Sequence, residues 1–202
     1  MESRRSDRPD APVAPVRGSA AGQVFSVGHS TRAIEELVAI LTEVGITRVA
    51  DVRLIPRSGR HPQFNIDRLA RSLGDVGIDY QHLPALGGRR SAVKGHVSRN
   101  TLWRVQAFRN YADYAETAPF AAALAELERL ARERPTAYMC AEALWWRCHR
   151  RVITDYLIVR RWNVIHLLGR GQQDPASLTP GAVLRPDATI EYPPRSPQPR
   201  LI

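Results

Sequence analysis

Residues 137–151 read AYMCAEALWWRCHRR. This stretch holds both cysteines of the chain, Cys140 and Cys148, with Glu142 and the pair Trp145 and Trp146 between them. His149 and Arg150 follow the second cysteine directly. Such residues suit several chemistries. A thiol at a helix N-terminus beside His and Arg has a lowered pKa and can serve as a nucleophile or half of a redox pair. Glu142 can act as a general base, with His149 as an acid. Two cysteines and a histidine can ligate zinc.

Spacing restrains each of these options. A cysteine phosphatase needs a glycine-bearing loop with arginine six positions after the nucleophile; from Cys140 the first arginine is Arg147, one residue too far, and AEALWW has no glycine. The cysteines do not form a Cys-x-x-Cys pair. Adjacent Cys148 and His149 are an uncommon ligand spacing, so no metal is expected, with Cys140, Cys148 and His149 as the alternative ligand set. No other cofactor is expected either. A plain structural reading also stands, in which Cys140 is a small core residue, Arg150 pairs with a carboxylate and the tryptophans pack inward.

Other polar residues fall at the ends of apolar runs. VFSVGHS (24–30) is a strand ending in Gly28, His29 and Ser30; ITRVADVRLIP (46–56) is a second, carrying Asp51 and Arg53. IDYQHLP (78–84) is a third, with His82, and PTAYMCAE (135–142) a fourth. WNVIHLLG (162–169) is a fifth, in which His166 reads as a satisfied core histidine. Between them the apolar spacing is helical over 31–45, 65–77, 107–117, 120–134 and 148–161. Ser30 or Thr31 can cap the first helix and Asn65 the second, with Gly45 and Gly77 as stops. The residues 178–194 can add a short antiparallel edge piece.

This alternation predicts one α/β domain over 23–192: a mainly parallel, Rossmann-like open sheet of about five strands with helices on both faces. In such a sheet ligands bind beyond the carboxyl ends of the strands, where the turns carrying His29, Asp51, Arg53, Glu142 and Cys148 converge. His29 paired within its turn and an Asp51–Arg53 ion pair are the structural alternatives.

The flanking loops are basic. RLIPRSGRHPQFN adds Arg57, Arg60, Gln63 and Asn65; GGRRSAVKGHVSRNTLWRVQAFR adds Arg89, Arg90, Lys94, Arg99 and Arg104 around Trp103. Basic residues interleaved with aromatics suit a phosphate backbone with stacked bases, and a solvated basic surface gives the same pattern. The formal charge is +9, almost all of it arginine, which favours anionic partners. No apolar run is long enough to cross a membrane or act as a secretory signal, so a cytoplasmic protein is expected. Residues 1–22 read as a flexible basic lead-in and 193–202 as a flexible tail.

The segments VFSVGHSTRAIEEL, ADVRLIPRSGRHPQFN, LPALGG, WRVQAFRNYADYAET, MCAEALWWRCHRRVITDYL and NVIHLLG together resemble the bacterial domain-of-unknown-function family 488, over about residues 24 to 169. The resemblance implies an α/β domain and no particular reaction. Its motif positions are Gly28, His29, Ser30, Asp51, Arg53, Gln63, Phe64, Asn65, Cys140, Glu142, Cys148, His149 and Arg150.

The expected function is hydrolysis of a phosphate-containing substrate, a nucleotide, DNA or RNA, by a phosphoester or glycosylase-type reaction. Arg53 and Arg150, with Ser30, Gln63 and Asn65, would bind phosphate, with Trp145 and Trp146 beside it. Glu142 or Asp51 would be the base and His29 or His149 the acid. A Cys148-dependent thiol or redox enzyme and a non-catalytic nucleic-acid-binding module are the alternatives.

Overall fold

The structure, a computed structural model, describes residues 21–194. The expected lead-in lies outside these residues except for Ala21 and Gly22, and the expected tail except for Pro193 and Pro194. The elements in chain order are β1 (Gly22–Gly28), α1 (Ile34–Glu43), β2 (Arg48–Asp51), α2 (Ile66–Gly74), β3 (Asp79–His82), α3 (Gln106–Ala115) and α4 (Ala118–Glu133). There follow β4 (Thr136–Cys140), α5 (Arg150–Val159), β5 (Trp162–Gly169), β6 (Gln172–Pro175), β7 (Val183–Leu184) and β8 (Ile190–Glu191).

Six strands form one sheet in the order β3-β2-β4-β1-β5-β6, parallel throughout except for the β5–β6 pair. The central strands are apolar because both faces are covered. Val24, Ala50 and Tyr138 pack with Phe120, Leu124, Val152 and Leu157 on the face of α3, α4 and α5. Phe25, Val27, Val49 and Met139 pack with Leu37, Leu41, Leu69 and Leu73 on the face of α1 and α2. The chain therefore leaves β1 towards one face and leaves its neighbour β4 towards the other. Between two such diverging connections a crevice opens at the carboxyl edge.

Several boundaries differ from expectation. The first helix begins after Ala33, which makes no side-chain cap, so neither Ser30 nor Thr31 caps it. Asn65 does precede α2, but its Oδ1 accepts the Ser58 N–H at 2.6 Å and leaves the helix uncapped. Gly45 and Gly77 lie just past α1 and α2 with φ of 71° and 77°, as helix stops do. Cys148 and His149 precede α5 and are not in its first turn.

The antiparallel edge strand is β6, and β7 and β8 within 178–194 pair, among the described residues, only with each other. This ribbon is tied to the main body by the Ile190 N–H donating to Tyr156 Oη and the Tyr192 N–H donating to Asn100 Oδ1. Among the described residues no helix is long and apolar enough to cross a membrane.

Candidate active site

A cleft of about 660 Å³ lies at the carboxyl ends of β1 and β4. Its walls are the turns after β1 and β2, Gly88 and Arg89 of the connection between β3 and α3, the first turns of α3, and the two ends of the turn after β4, Cys140 to Ala143 and Arg147 to His149. The turns after β1 and β4 extend the sheet's ladder: the His29 N–H donates to Cys140 O at 3.0 Å and the Ser30 N–H to Ala141 O at 2.9 Å. Gly28 makes this approach feasible, since a Cβ there would stand 2.0 Å from Glu142 O. Ser30 follows with φ of 52°, an unusual conformation for a residue with a side chain.

On one wall Arg53 is fully engaged. Its Nε and Nη2 bond the Asp51 carboxylate at 2.5–3.0 Å, its Nη2 also donates to Phe64 O at 2.9 Å, and its Nη1 faces His29 Nε2 at 3.1 Å. Asp51 is fully buried, accepts the Tyr80 hydroxyl as well, and does not line the cleft. The sequence-based assignment of Asp51 as a base therefore gives way to its structural alternative, an ion pair that fixes Arg53.

His29 lies over Phe64 at 4.0 Å, and its Nδ1 donates to Ser30 O, which leaves Nε2 as the acceptor from Arg53. Burial and the Arg53 charge hold its pKa near 4. A neutral ring with both nitrogens engaged is a poor general acid.

On the opposite wall the two cysteines meet His149. Both thiols are buried and free of any disulfide. His149 Nδ1 stands 3.8 Å from Cys140 Sγ and 3.6 Å from Cys148 Sγ, while Nε2 lies 3.1 Å from Val52 O. A carbonyl only accepts, so Nε2 carries a hydrogen; in the neutral ring Nδ1 is then the nitrogen with the lone pair, and it faces both sulfurs. The ring is held edge-on by Tyr111 at 5.0 Å and packed against Gly88, where a Cβ would lie 2.4 Å from Nδ1.

Burial pushes the Cys148 thiol up, but a hydrogen bond from Cys140 and the proximity of His149 and Arg150 outweigh it and hold Cys148 well below the usual cysteine range. The same hydrogen bond, with burial, pushes Cys140 up.

Arg150 is almost wholly buried behind this pair. It donates to Ser26 Oγ at 3.1 Å, Glu142 O at 2.5 Å and Ala143 O at 3.3 Å, and its Nε points at Cys148 Sγ at 3.5 Å. No carboxylate pairs with it among the described residues, contrary to the structural alternative from sequence. It does not line the cleft; its guanidinium holds the turn instead, away from the surface where a phosphate-binding arginine was expected.

The remaining candidates divide. Glu142 is exposed on the cleft, with only a long 3.4 Å bond from the Leu144 N–H. Arg57 and Arg89 line it, as does Arg147, which in the sequence stands out only as an arginine one position too far for a phosphatase loop. Gln63 bonds Arg32 O, and neither Gln63 nor Asn65 reaches the cleft.

Arg90 lies over the Tyr114 ring and donates to Pro84, Ala85 and Gly87 carbonyls; Arg99 pairs with Glu116. Arg60, Lys94 and Arg104 are exposed away from the cleft. Trp103 is buried between Phe108 and Tyr192, so it is no stacking platform for bases. Trp145 is buried against His166 at 4.3 Å, and Trp146 is partly buried outside the cleft. His166 is in the core but unsatisfied, since neither ring nitrogen has a hydrogen-bond partner.

A family model described as a domain of unknown function, DUF488, matches residues 33–157, well over half of the chain. No curated protein and no solved structure matches.

Proposed function

The chain belongs to the DUF488 family, and we propose that it is a hydrolase of a phosphate-containing substrate, a nucleotide or nucleic acid, acting in the cleft at the ends of β1 and β4. The observation that carries the proposal is the charge arrangement of that cleft. Arg57, Arg89 and Arg147 line it, all exposed and without a carboxylate partner among the described residues, and Glu142 is the one carboxylate among the lining residues. Exposed guanidinium groups around a concave site suit phosphate oxygens.

A lone, accessible carboxylate suits a base. Glu142 takes a proton from water as the water oxygen bonds to phosphorus; the bond from phosphorus to the leaving oxygen breaks, and that oxygen receives the proton from Glu142. Hydrolysis of an N-glycoside has less support. It calls for an aromatic platform; the tryptophans are buried or outside the cleft, Tyr111 is fully buried, and half-buried Phe108 is left as the one aromatic ring other than histidine that the cleft offers.

The test is turnover of p-nitrophenyl phosphomonoesters and phosphodiesters, nucleotides, DNA and RNA by the full-length chain. Glu142→Gln is expected to lower kcat by roughly 10²-fold or more while substrate still binds. Arg89→Ala and Arg147→Ala are expected to raise KM. Absence of turnover with every phosphate class, or turnover indifferent to Glu142→Gln, would overturn the proposal.

A further inference from the structure

We propose that Cys140, Cys148 and His149 form a metal site, matched to zinc, whose fourth coordination position opens on the cleft; the role given to that position rests on the hydrolase reading above. The first argument is distance. With metal–sulfur bonds of about 2.3 Å and metal–nitrogen bonds of about 2.0–2.1 Å, a tetrahedral site has sulfur–nitrogen edges of roughly 3.6 Å and a sulfur–sulfur edge of roughly 3.8 Å. The two sulfur–nitrogen separations here are 3.8 and 3.6 Å, and all three donor atoms lie within 4.8 Å of one another.

The second argument is orientation. A metal-bound histidine gives its other nitrogen's hydrogen to a carbonyl or carboxylate, and His149 Nε2 makes that bond to Val52 O. The lone pair on Nδ1 is thereby aimed between the sulfurs.

Charge supplies the third. A buried cation needs a compensating anion, and among the described residues the only ionisable group bonded to Arg150 is the Cys148 sulfur. Two thiolates, a divalent ion and Arg150 leave a net positive charge that a hydroxide in the open position would neutralise.

Adjacent ligands are uncommon because neighbouring side chains usually diverge. Here the backbone changes class between them: Cys148 is extended at φ −123°, ψ 150°, and His149 is helical at φ −57°, ψ −19°. That bend brings both donors to one side.

Two thiolates and an imidazole select a soft or borderline ion such as zinc. Three protein ligands with an open position are the arrangement of a catalytic metal, which lowers the pKa of bound water towards neutrality. All three ligands and Glu142 line the same cleft, so the proton lost by that water has an acceptor on the cleft wall.

The test uses the full-length reduced chain and cobalt(II) alone, then zinc alone. Cobalt is expected to bind one ion per chain, with thiolate charge-transfer absorption and intense tetrahedral d–d bands that zinc abolishes. Zinc is expected to slow alkylation of the thiols by roughly tenfold or more. Cys148→Ser and His149→Ala should lose the bands, whereas Glu142→Gln should keep them while losing phosphoester turnover. Failure of the hydrolase reading thus leaves the cobalt result intact. Absence of cobalt bands in the wild-type chain, with thiol alkylation indifferent to zinc, would overturn the site.

Discussion

Asp51 and Glu142 are carboxylates at or just past the ends of adjacent strands, and their surroundings give them opposite roles. Every acceptor direction of Asp51 is taken by Arg53 or Tyr80 in a fully buried position, while Glu142 is exposed. Removing one partner of a buried ion pair leaves an uncompensated charge, so Asp51→Asn is expected to destabilise the fold by about 3–5 kcal/mol. Glu142→Gln, which breaks no ion pair, should stay within about 0.5 kcal/mol of the native chain. Urea denaturation of the two variants checks the contrast; equal stabilities would reverse the assignment of roles. In the sequence both residues read as candidate bases, because sequence shows that a carboxylate ends a strand and is silent on what packs against it. Arg53 explains the difference: two residues after Asp51, it folds back to form the pair, and the spacing alone fits a substrate-binding arginine equally well.

At the scale of elements, the crevice depends on β1 and β4 ending side by side with their following turns in backbone contact. Gly28 is the point of contact. A methyl group there would meet Glu142 O at 2.0 Å, and the obstructing atoms are backbone. Gly28→Ala is expected to cost about 3 kcal/mol or more by forcing the two turns apart. Gly74 at the end of α2 is the complementary case, since a Cβ there meets nothing within 4 Å. Gly74→Ala should stabilise by about 0.5–1 kcal/mol, and thermal melts of both variants separate the two effects.

The central strands were legible because burial on both faces demands apolar runs such as VFSV and AYMC. The strand β6 was not, since QQDP is a mostly exposed edge paired on one side only, and nothing in its composition marks a strand. Convergence of the first and fourth turns followed from general rules of parallel sheets. The meeting of Cys140, Cys148 and His149 stood in the sequence only as the less favoured ligand set, because it depends on one change of backbone conformation at His149.

For the whole molecule, the turn carrying these residues is only as firm as the packing behind α5, and there a buried acid bears the load. Asp155 on α5 accepts the Thr179 N–H at 2.8 Å and the Tyr192 hydroxyl at 2.9 Å, joining the helix to the C-terminal segment. Burial raises its pKa to about 6, against hydrogen bonds from Thr179 and Tyr192 and the charge of Arg151, which lower it. The folded chain therefore holds a proton that the unfolded chain releases between about pH 4 and pH 6, and this group's contribution to stability falls as pH rises through that window. Above it the loss amounts to about 3 kcal/mol.

Asp155→Asn cannot ionise, yet its amide can still accept from Thr179 and donate to the Tyr192 oxygen. Unfolding free energies of the native chain and the variant, measured from pH 4 to pH 7, are expected to diverge in the variant's favour as pH rises. Other titrating groups are common to both chains and cancel in the difference. A difference that stays constant across the range would mean that Asp155 ionises normally in the folded state and holds Thr179 and Tyr192 as a carboxylate.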